Sequence, residues 1–163
     1  YIKFELDTAN VDGSETGLAK FNIYRVGYAK GDSKETPLLS YDIPKNLLSE
    51  INKFEKHDFY ISSDSGLIEV AMDGTTNEHK IVKATDGRSS GVNINPIGSG
   101  SNYISFPMLA EIGFFVDPNQ KAIYKNVEVT NYRAPSNTLF KEDLSKSKYS
   151  GIYADKLDSG LSA

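Results

Sequence analysis

The residue best suited to chemistry in this sequence is Glu111, a carboxylate placed inside the apolar run FPMLAEIGFF. On a strand it would share a face with Leu109 and Phe115, where burial would raise its pKa as an acid catalyst requires. Glycoside hydrolysis also needs a second carboxylate nearby, as nucleophile or base. No acid follows within that strand, so a partly hydrated face or an ion pair with a Lys or Arg explains Glu111 better than catalysis does.

Other catalytic and metal-binding chemistries find little support. The sequence has no cysteine, which excludes disulfides, thiolate catalysis and cysteine-based metal sites. Its two histidines, His57 and His79, are both expected to be exposed to solvent. Calcium is possible where oxygen ligands cluster, but ordinary turns explain the clusters here more simply, so no cofactor is predicted and no metal is claimed. These oxygen-rich clusters are Asp7, Asn10 and Asp12, and Asp117, Asn119 and Gln120.

Two polar loops, 86–95 and 98–103, have the composition of a sugar-binding rim. Arg88 and three asparagines offer hydrogen-bond donors, and Tyr103 offers a flat face on which a sugar ring can rest. The alternative is that both segments are flexible connections between strands. The candidate carbohydrate-binding residues are Arg88, Asn93, Asn95, Asn102 and Tyr103.

Composition limits the kind of partner. The 163 residues carry a net charge of −4, which provides no basic field for a phosphate backbone, so nucleic acid is not an expected partner. No apolar run reaches the roughly 18 to 20 residues of a membrane span, and membrane insertion is not expected. The first residue is Tyr, which suggests an excised domain or a processed protein with any targeting signal upstream.

Hydrophobic alternation predicts a series of short strands. The clearest is 67–72, where Ile68, Val70 and Met72 occupy one face and Asp73-Gly74 is predicted to close a tight hairpin turn. A short helix is predicted with Pro44 at its first position and Leu47, Leu48 and Ile51 on its apolar side. Short strands separated by turns favour an antiparallel two-sheet sandwich over a parallel sheet. The other predicted strands are 1–7, 18–28, 58–62, 80–84, 92–94, 108–116 and 122–132.

The alternation stops after Tyr132. Residues 133–163 are rich in Pro, Ser, Lys and Asp, with only scattered apolar residues, which is typical of a packed tail or an interdomain linker. The sequence therefore predicts one β-sandwich domain over residues 1–132, followed by a tail or linker over residues 133–163.

The motifs GLIEVAMDGTTN and YISFPMLAEIGFFVDPNQKAIYKNVEV resemble the concanavalin/laminin-G-like jelly rolls, in which a strand ends in an Asp-Gly hairpin. The segments NINPIGSGSNYISFPMLAEIGF and VEVTNYRAPSNTLF are similar to an accessory β-sandwich of bacterial α-L-rhamnosidase-like glycoside hydrolases. The resemblance implies a jelly-roll fold, an extracytoplasmic location, and a catalytic barrel elsewhere in the parent enzyme. That family's catalytic residues have no matching positions here.

Three functions follow as hypotheses. The first is a non-catalytic module of a larger glycoside hydrolase, which binds glycan weakly or supports neighbouring domains of that enzyme. The second is a purely structural or protein-interaction sandwich, which an exposed apolar patch would favour. The third is a small concanavalin-like glycoside hydrolase or lyase centred on Glu111, which requires a second carboxylate about 5 to 9 Å away.

Overall fold

The chain folds mostly into antiparallel β-structure, which confirms the predicted all-β class in this coarser form. It divides into two compact units, Tyr1–Met108 and Leu109–Ala163. The structure, a computed structural model, describes residues 1–8, 19–48, 56–86, 91–96, 112–118, 122–131 and 134–142.

The first sheet of the N-terminal unit has three antiparallel strands, with β2 between β1 and β3. Phe21 and Ile23 of β2 are buried in the core, as their alternation predicted. The sequence did not predict β3. The strands are β1 (Ile2–Asp7), β2 (Lys20–Arg25) and β3 (Leu39–Asp42).

The second sheet is built around β5, whose bounds are those predicted. On one side β5 pairs with β4 over its whole length. On the other side β6 and β7 share its edge, β6 beside Val70 and Ala71 and β7 beside Leu67 and Ile68. The strands are β4 (Phe59–Asp64), β5 (Leu67–Met72), β6 (Lys80–Val82) and β7 (Val92–Asn93).

The tight turn of the β4–β5 hairpin lies at Ser65-Gly66, at the opposite end of β5 from the predicted Asp73-Gly74 turn. Ser65 (φ 54°) and Gly66 (φ 85°) both have positive φ, and they connect the paired residues Asp64 and Leu67. This is the two-residue geometry that matches strand twist. Asp73 does adopt the expected positive φ of 59°, but the chain then passes through a short 3-10 helix, Asn77–His79, before β6.

Side chains of both sheets form one apolar core in the N-terminal unit. Ile23 of β2 and Val70 and Met72 of β5 are fully buried in it. The short helix α1 (Lys45–Leu48) forms where it was predicted and contributes Leu47 to the same core. The remaining buried members are Ala19, Phe21, Ile43, Ile68, Ile81, Val82 and Ile94.

The C-terminal unit contains a two-stranded antiparallel hairpin of β8 (Val127–Asn131) and β9 (Ala134–Glu142). β9 lies inside the stretch that the sequence assigned to a tail or linker. The predicted strand 122–132 begins only at Val127, and residues 112–116 of the predicted strand 108–116 do not form a strand. Within the described residues, no helix has both the length and the apolar character to cross a membrane.

Candidate functional site

The most distinctive polar arrangement in the N-terminal unit is centred on Arg25, the last residue of β2. Its Nε donates to Oδ1 of Asp32 at 2.8 Å, and its Nη1 donates to the carbonyl oxygen of Ile94 at 2.8 Å. The side chains of Arg25 and Asp32 are only 12% and 3% exposed. One guanidinium therefore joins β2, the loop that follows it and the segment after β7.

Asp32 is held by the loop between β2 and β3 as well as by Arg25. Its second oxygen, Oδ2, accepts hydrogen bonds from the backbone nitrogens of Tyr28 and Ala29, at 2.9 and 2.8 Å. Burial alone would raise the pKa of Asp32, but the hydrogen bonds from Arg25, Ala29 and Tyr28 outweigh it, and the pKa lies below its ordinary value. The carboxylate thus stays ionised and anchors the loop at neutral pH.

A cavity of about 170 Å³ opens beside this ion pair. Charged groups, hydroxyl groups and an apolar wall all contribute to it. It is smaller than the roughly 300 to 1,000 Å³ of pockets that enclose drug-sized ligands, so it accommodates one small polar group or part of one ring. We call it the Arg25 cavity; it is lined by Arg25, Gly31, Asp32, Ser33, Thr36, Pro37 and Leu38.

The two hydroxyl groups of the Arg25 cavity, from Ser33 and Thr36, differ in the hydrogen bonds that they make within the chain. Ser33 Oγ accepts from the backbone nitrogens of Glu35 and Thr36, both at 3.0 Å, so its proton remains available for donation. Thr36 is exposed and contributes a second hydroxyl. Pro37 and Leu38 supply apolar surface next to these groups. Donors beside an apolar wall suit a ligand with both hydroxyls and a hydrocarbon face.

Of the residues predicted to bind sugar, the structure describes only Asn93 and Asn95. Asn95 Nδ2 donates to the carbonyl oxygen of Ser65 at 2.7 Å and to Asn93 Oδ1 at 3.0 Å. These bonds hold the segment after β7 against the Ser65-Gly66 turn. Asn93 is exposed. Its Oδ1 accepts a hydrogen bond from the backbone nitrogen of Asn95 at 2.9 Å, in addition to the bond from Asn95 Nδ2. The other candidates, Arg88, Asn102, Tyr103 and Glu111, lie outside the described residues.

Asn93 and Asn95, which were predicted to bind sugar, flank Ile94, the residue whose carbonyl oxygen accepts from Arg25. Arg25 and Asp32 were not among the predicted site residues. Arg25 lay inside the predicted strand 18–28, and Asp32 lay in the polar segment that follows it. Their one local signal is the Gly31-Asp32 pair, in which Asp is a common turn residue that bonds nearby backbone nitrogens. The bond to Ile94 spans 69 positions, and nothing in the local pattern indicates it.

His57 is not exposed as predicted, because its imidazole pairs with Asp73. Nδ1 lies 2.8 Å from Asp73 Oδ2, and the side chain is only 11% exposed. Asp73 Oδ1 also accepts from the backbone nitrogen of Asp58 at 2.9 Å. His79 contacts Thr76 instead, at 2.7 Å from Nδ1 to Oγ1. The described residues contain no group of three His, Cys, Asp or Glu side chains arranged to hold a metal.

The face of the first sheet that points away from the core carries a second polar network. Glu5 accepts from Lys3 at 2.8 Å, from Asn22 at 3.1 Å and from the Tyr24 hydroxyl at 2.8 Å. Asn22 Oδ1 in turn accepts from Ser40 Oγ at 2.7 Å. The network crosses all three strands, and we assign it to stabilising the sheet.

Comparison of the chain with protein-family models, curated proteins and solved structures found no match.

Proposed function

We propose that the N-terminal unit is a two-sheet β-sandwich that acts as a non-catalytic module and binds glycan weakly. Support for the sandwich comes from the core, since buried residues of the first sheet (Phe21, Ile23) and of the second (Ile68, Val70) belong to one cluster. Two antiparallel sheets that share a core in this way are the basis of sandwich architectures.

The observation that carries the binding proposal is the Arg25 cavity. Sugars present hydroxyls around a ring whose faces are partly hydrocarbon, so they are held by polar donors set beside apolar side chains. Ser33 and Thr36 supply hydroxyls, Arg25 supplies charge, and Pro37 and Leu38 supply apolar surface. The hydrogen bonds of Asp32 to Arg25 and to the backbone of Tyr28 and Ala29 hold the wall of the cavity in place.

The size of the cavity sets the expected affinity and substrate. A volume of about 170 Å³ encloses no more than part of a sugar, so a single terminal or side-chain residue of a glycan is the expected ligand. Few contacts predict weak binding, with Kd on the order of 1 mM. Such affinity suits a module that relies on its parent protein to add further contacts.

We further propose that the parent is a larger bacterial glycoside hydrolase, similar to the α-L-rhamnosidases and located outside the cytoplasm. The support for this is the resemblance of the sequence segments around 93–114 and 127–140. In such a protein, neighbouring domains of the enzyme would be partners of this chain, and chemistry would occur elsewhere.

Titration of the whole chain with a panel of plant and host glycans, including rhamnose-containing ones, tests the proposal. The panel is run with and without calcium and followed by NMR. Thr36→Val removes a cavity hydroxyl at constant shape and is expected to weaken binding about threefold to tenfold. Thr85→Val, at another exposed threonine, is the matched control. No saturable binding by the folded chain would reject the glycan-binding role.

Variants of the predicted loops separate the two locations proposed for the sugar. If Arg88→Ala and Tyr103→Ala abolish binding while Thr36→Val has no effect, the ligand lies on loops 86–95 and 98–103. The opposite result places it in the Arg25 cavity.

A structural or protein-interaction sandwich is the second candidate. The observation favouring it is the exposure of Phe59, Tyr60 and Ile61, three large apolar residues in a row on β4. Monomeric proteins seldom leave large apolar side chains exposed on both faces of an edge strand.

A further inference from the structure

Strand β4 is the outer strand of the second sheet, and its pairing with β5 defines which backbone groups point outward. Asp58 accepts from the backbone nitrogen of Asp73 at 2.8 Å, and the two-residue turn makes Asp64 and Leu67 a hydrogen-bonded pair. Since hydrogen-bonded and non-hydrogen-bonded pairs alternate, Phe59, Ile61 and Ser63 direct their N–H and C=O groups away from β5. In the described residues, no strand pairs with that side of β4.

The same edge exposes apolar side chains next to the core. Phe59 and Ile61 lie opposite Met72 and Val70 and so share their core-facing side. Phe59 stacks on Phe21, with ring centroids 6.1 Å apart. Even so, Phe59 is 39% and Ile61 46% exposed, and Tyr60 on the opposite side is 47% exposed. An added strand would cover this open edge and satisfy its backbone groups.

We infer that the strand that covers β4 is β4 of a second copy of this chain, paired antiparallel about a two-fold axis at Tyr60. Phe59 of each copy then forms a hydrogen-bonded pair with Ile61 of the other. The N–H and C=O groups of these residues that point away from β5 bond to each other across the interface. These two pairs supply about four main-chain hydrogen bonds. Phe59 covers Ile61 across the interface, and the two Tyr60 rings lie side by side on the other face.

Charge complementarity selects this register over its neighbour. With Tyr60 at the axis, Lys56 of each copy stands opposite Asp64 of the other. Lys56 forms an exposed ion pair with Asp58 of its own chain at 2.9 Å, and its side chain is 64% exposed, so its ammonium group can also contact Asp64 of the second copy. A register centred on Ile61 would instead place Asp58 opposite Asp64 at both ends, which is repulsive. Lys56 before β4 and Asp64 at its end therefore attract their counterparts in the second copy only when Tyr60 lies on the two-fold axis.

The dimer is expected to be weak and dependent on concentration. Pairing through one strand of six residues buries less than the roughly 1,200 to 2,000 Å² of stable interfaces. Two-fold pairing closes on itself, since each copy uses its one β4 edge, so dimers and not fibres are the expected product.

Single-cysteine variants of the whole chain test both the dimer and its register, because the natural sequence has no cysteine. In a non-hydrogen-bonded antiparallel pair the Cα atoms are about 4.5 Å apart, which permits a disulfide. Tyr60→Cys is therefore expected to form a disulfide-linked dimer at least about tenfold faster than Ile61→Cys or Ser62→Cys, whose partners lie further along the opposed strand. Faster cross-linking at position 61 or 62 would overturn the proposed register.

Sedimentation of charge variants supplies the second test. Lys56→Asp is expected to raise the dimer Kd about threefold to thirtyfold, because two ion pairs are lost, and the double variant Lys56→Asp/Asp64→Lys is expected to restore it. Lys83→Asp makes the same change of charge on an exposed residue away from β4 and should leave the Kd unchanged. A natural chain that remains monomeric at high concentration, together with slow cross-linking of all three cysteine variants, would overturn the dimer.

Discussion

Arg25 donates a hydrogen bond to the main-chain oxygen of Ile94, a residue 69 positions further along the chain. Arg25 ends β2 of the first sheet, whereas Ile94 follows β7 of the second. The two sheets are thus linked by a polar contact at the edge of their shared apolar core, and the Arg25 cavity lies beside it.

Removal of the Arg25 charge should strongly destabilise the N-terminal unit. Arg25→Met leaves the Asp32 carboxylate without its cation, and loss of a hydrogen-bonded charged partner at a partly buried site costs about 1 to 3 kcal/mol of unfolding free energy. Urea denaturation measures this loss. The exposed pair of Lys20 and Asp42, also 2.8 Å apart, is the control, since Lys20→Met should cost no more than about 1 kcal/mol. Equal losses in the two variants would contradict a special role for Arg25.

Acid should weaken the fold through Asp32. Its pKa is lowered in the folded chain, so its contribution to stability is present above the ordinary Asp pKa of about 3.9 and is lost as the pH falls through the lower folded value. The natural chain should exceed Asp32→Asn in unfolding free energy at pH 7, and the difference should shrink below about pH 4. Urea unfolding at a series of pH values measures both proteins. A difference that is constant with pH would show that ionised Asp32 contributes nothing.

Alkali should act through Tyr24 in the opposite direction. Burial and the hydrogen bond to Glu5 raise the pKa of Tyr24 to about 12. Its contribution is therefore complete below the unfolded value of about 10 and is lost as the pH rises towards 12. Tyr24→Phe should cost about 1 kcal/mol at pH 7, and the gap from the natural chain should close above pH 10. If the gap persists at pH 11.5, the hydroxyl is not bonded as described.

Substitutions at the two residues of the Ser65-Gly66 turn should change the unfolding free energy in opposite directions. A β-carbon at Gly66 would overlap the side-chain amide of Asn95 and would sit at a φ of +85°, so Gly66→Ala should lose at least about 1 to 2 kcal/mol. Ser65→Asn should gain a few tenths of a kcal/mol, because Asn adopts positive φ more readily and Asn-Gly is the preferred pair for this turn. Thermal unfolding of both variants measures the effects. A stabilising Gly66→Ala would contradict the turn geometry.

The sequence predicted elements whose burial follows a local pattern. The alternation from Leu67 to Met72 gave the bounds of β5, and Pro44 with Leu47 placed α1. Local chemistry did not identify the tight turn, because Asp73-Gly74 and Ser65-Gly66 both allow positive φ. Only the pairing of β4 with β5 decides between them.

Contacts between distant residues account for the remaining differences. β9 begins with Ala-Pro-Ser and has no clear alternation, and pairing with β8 determines its conformation. The burial of His57 depends on Asp73, 16 positions away, and the Arg25 cluster depends on Ile94. Each of these arrangements requires a fold that already brings the partners together, so a one-dimensional pattern carries no signal for them.

Because β6 and β7 pair with different residues on the same edge of β5, β7 can separate from the sheet without β6. β7 is only two residues long, and its release would leave the pairing of β5 with β4 and β6 in place. Besides its pairing with β5, the segment is held by the side chains of Arg25 and Asn95, by a hydrogen bond from the backbone nitrogen of Ile94 to the carbonyl oxygen of Gly66, and by burial of Ile94 in the core. Amide hydrogen exchange in this segment is therefore expected to proceed by local opening, faster than global unfolding allows. The N-terminal unit would then contain a short segment that opens by itself, and the strength of its attachment would depend on Arg25, on Asn95 and on the buried side chain of Ile94.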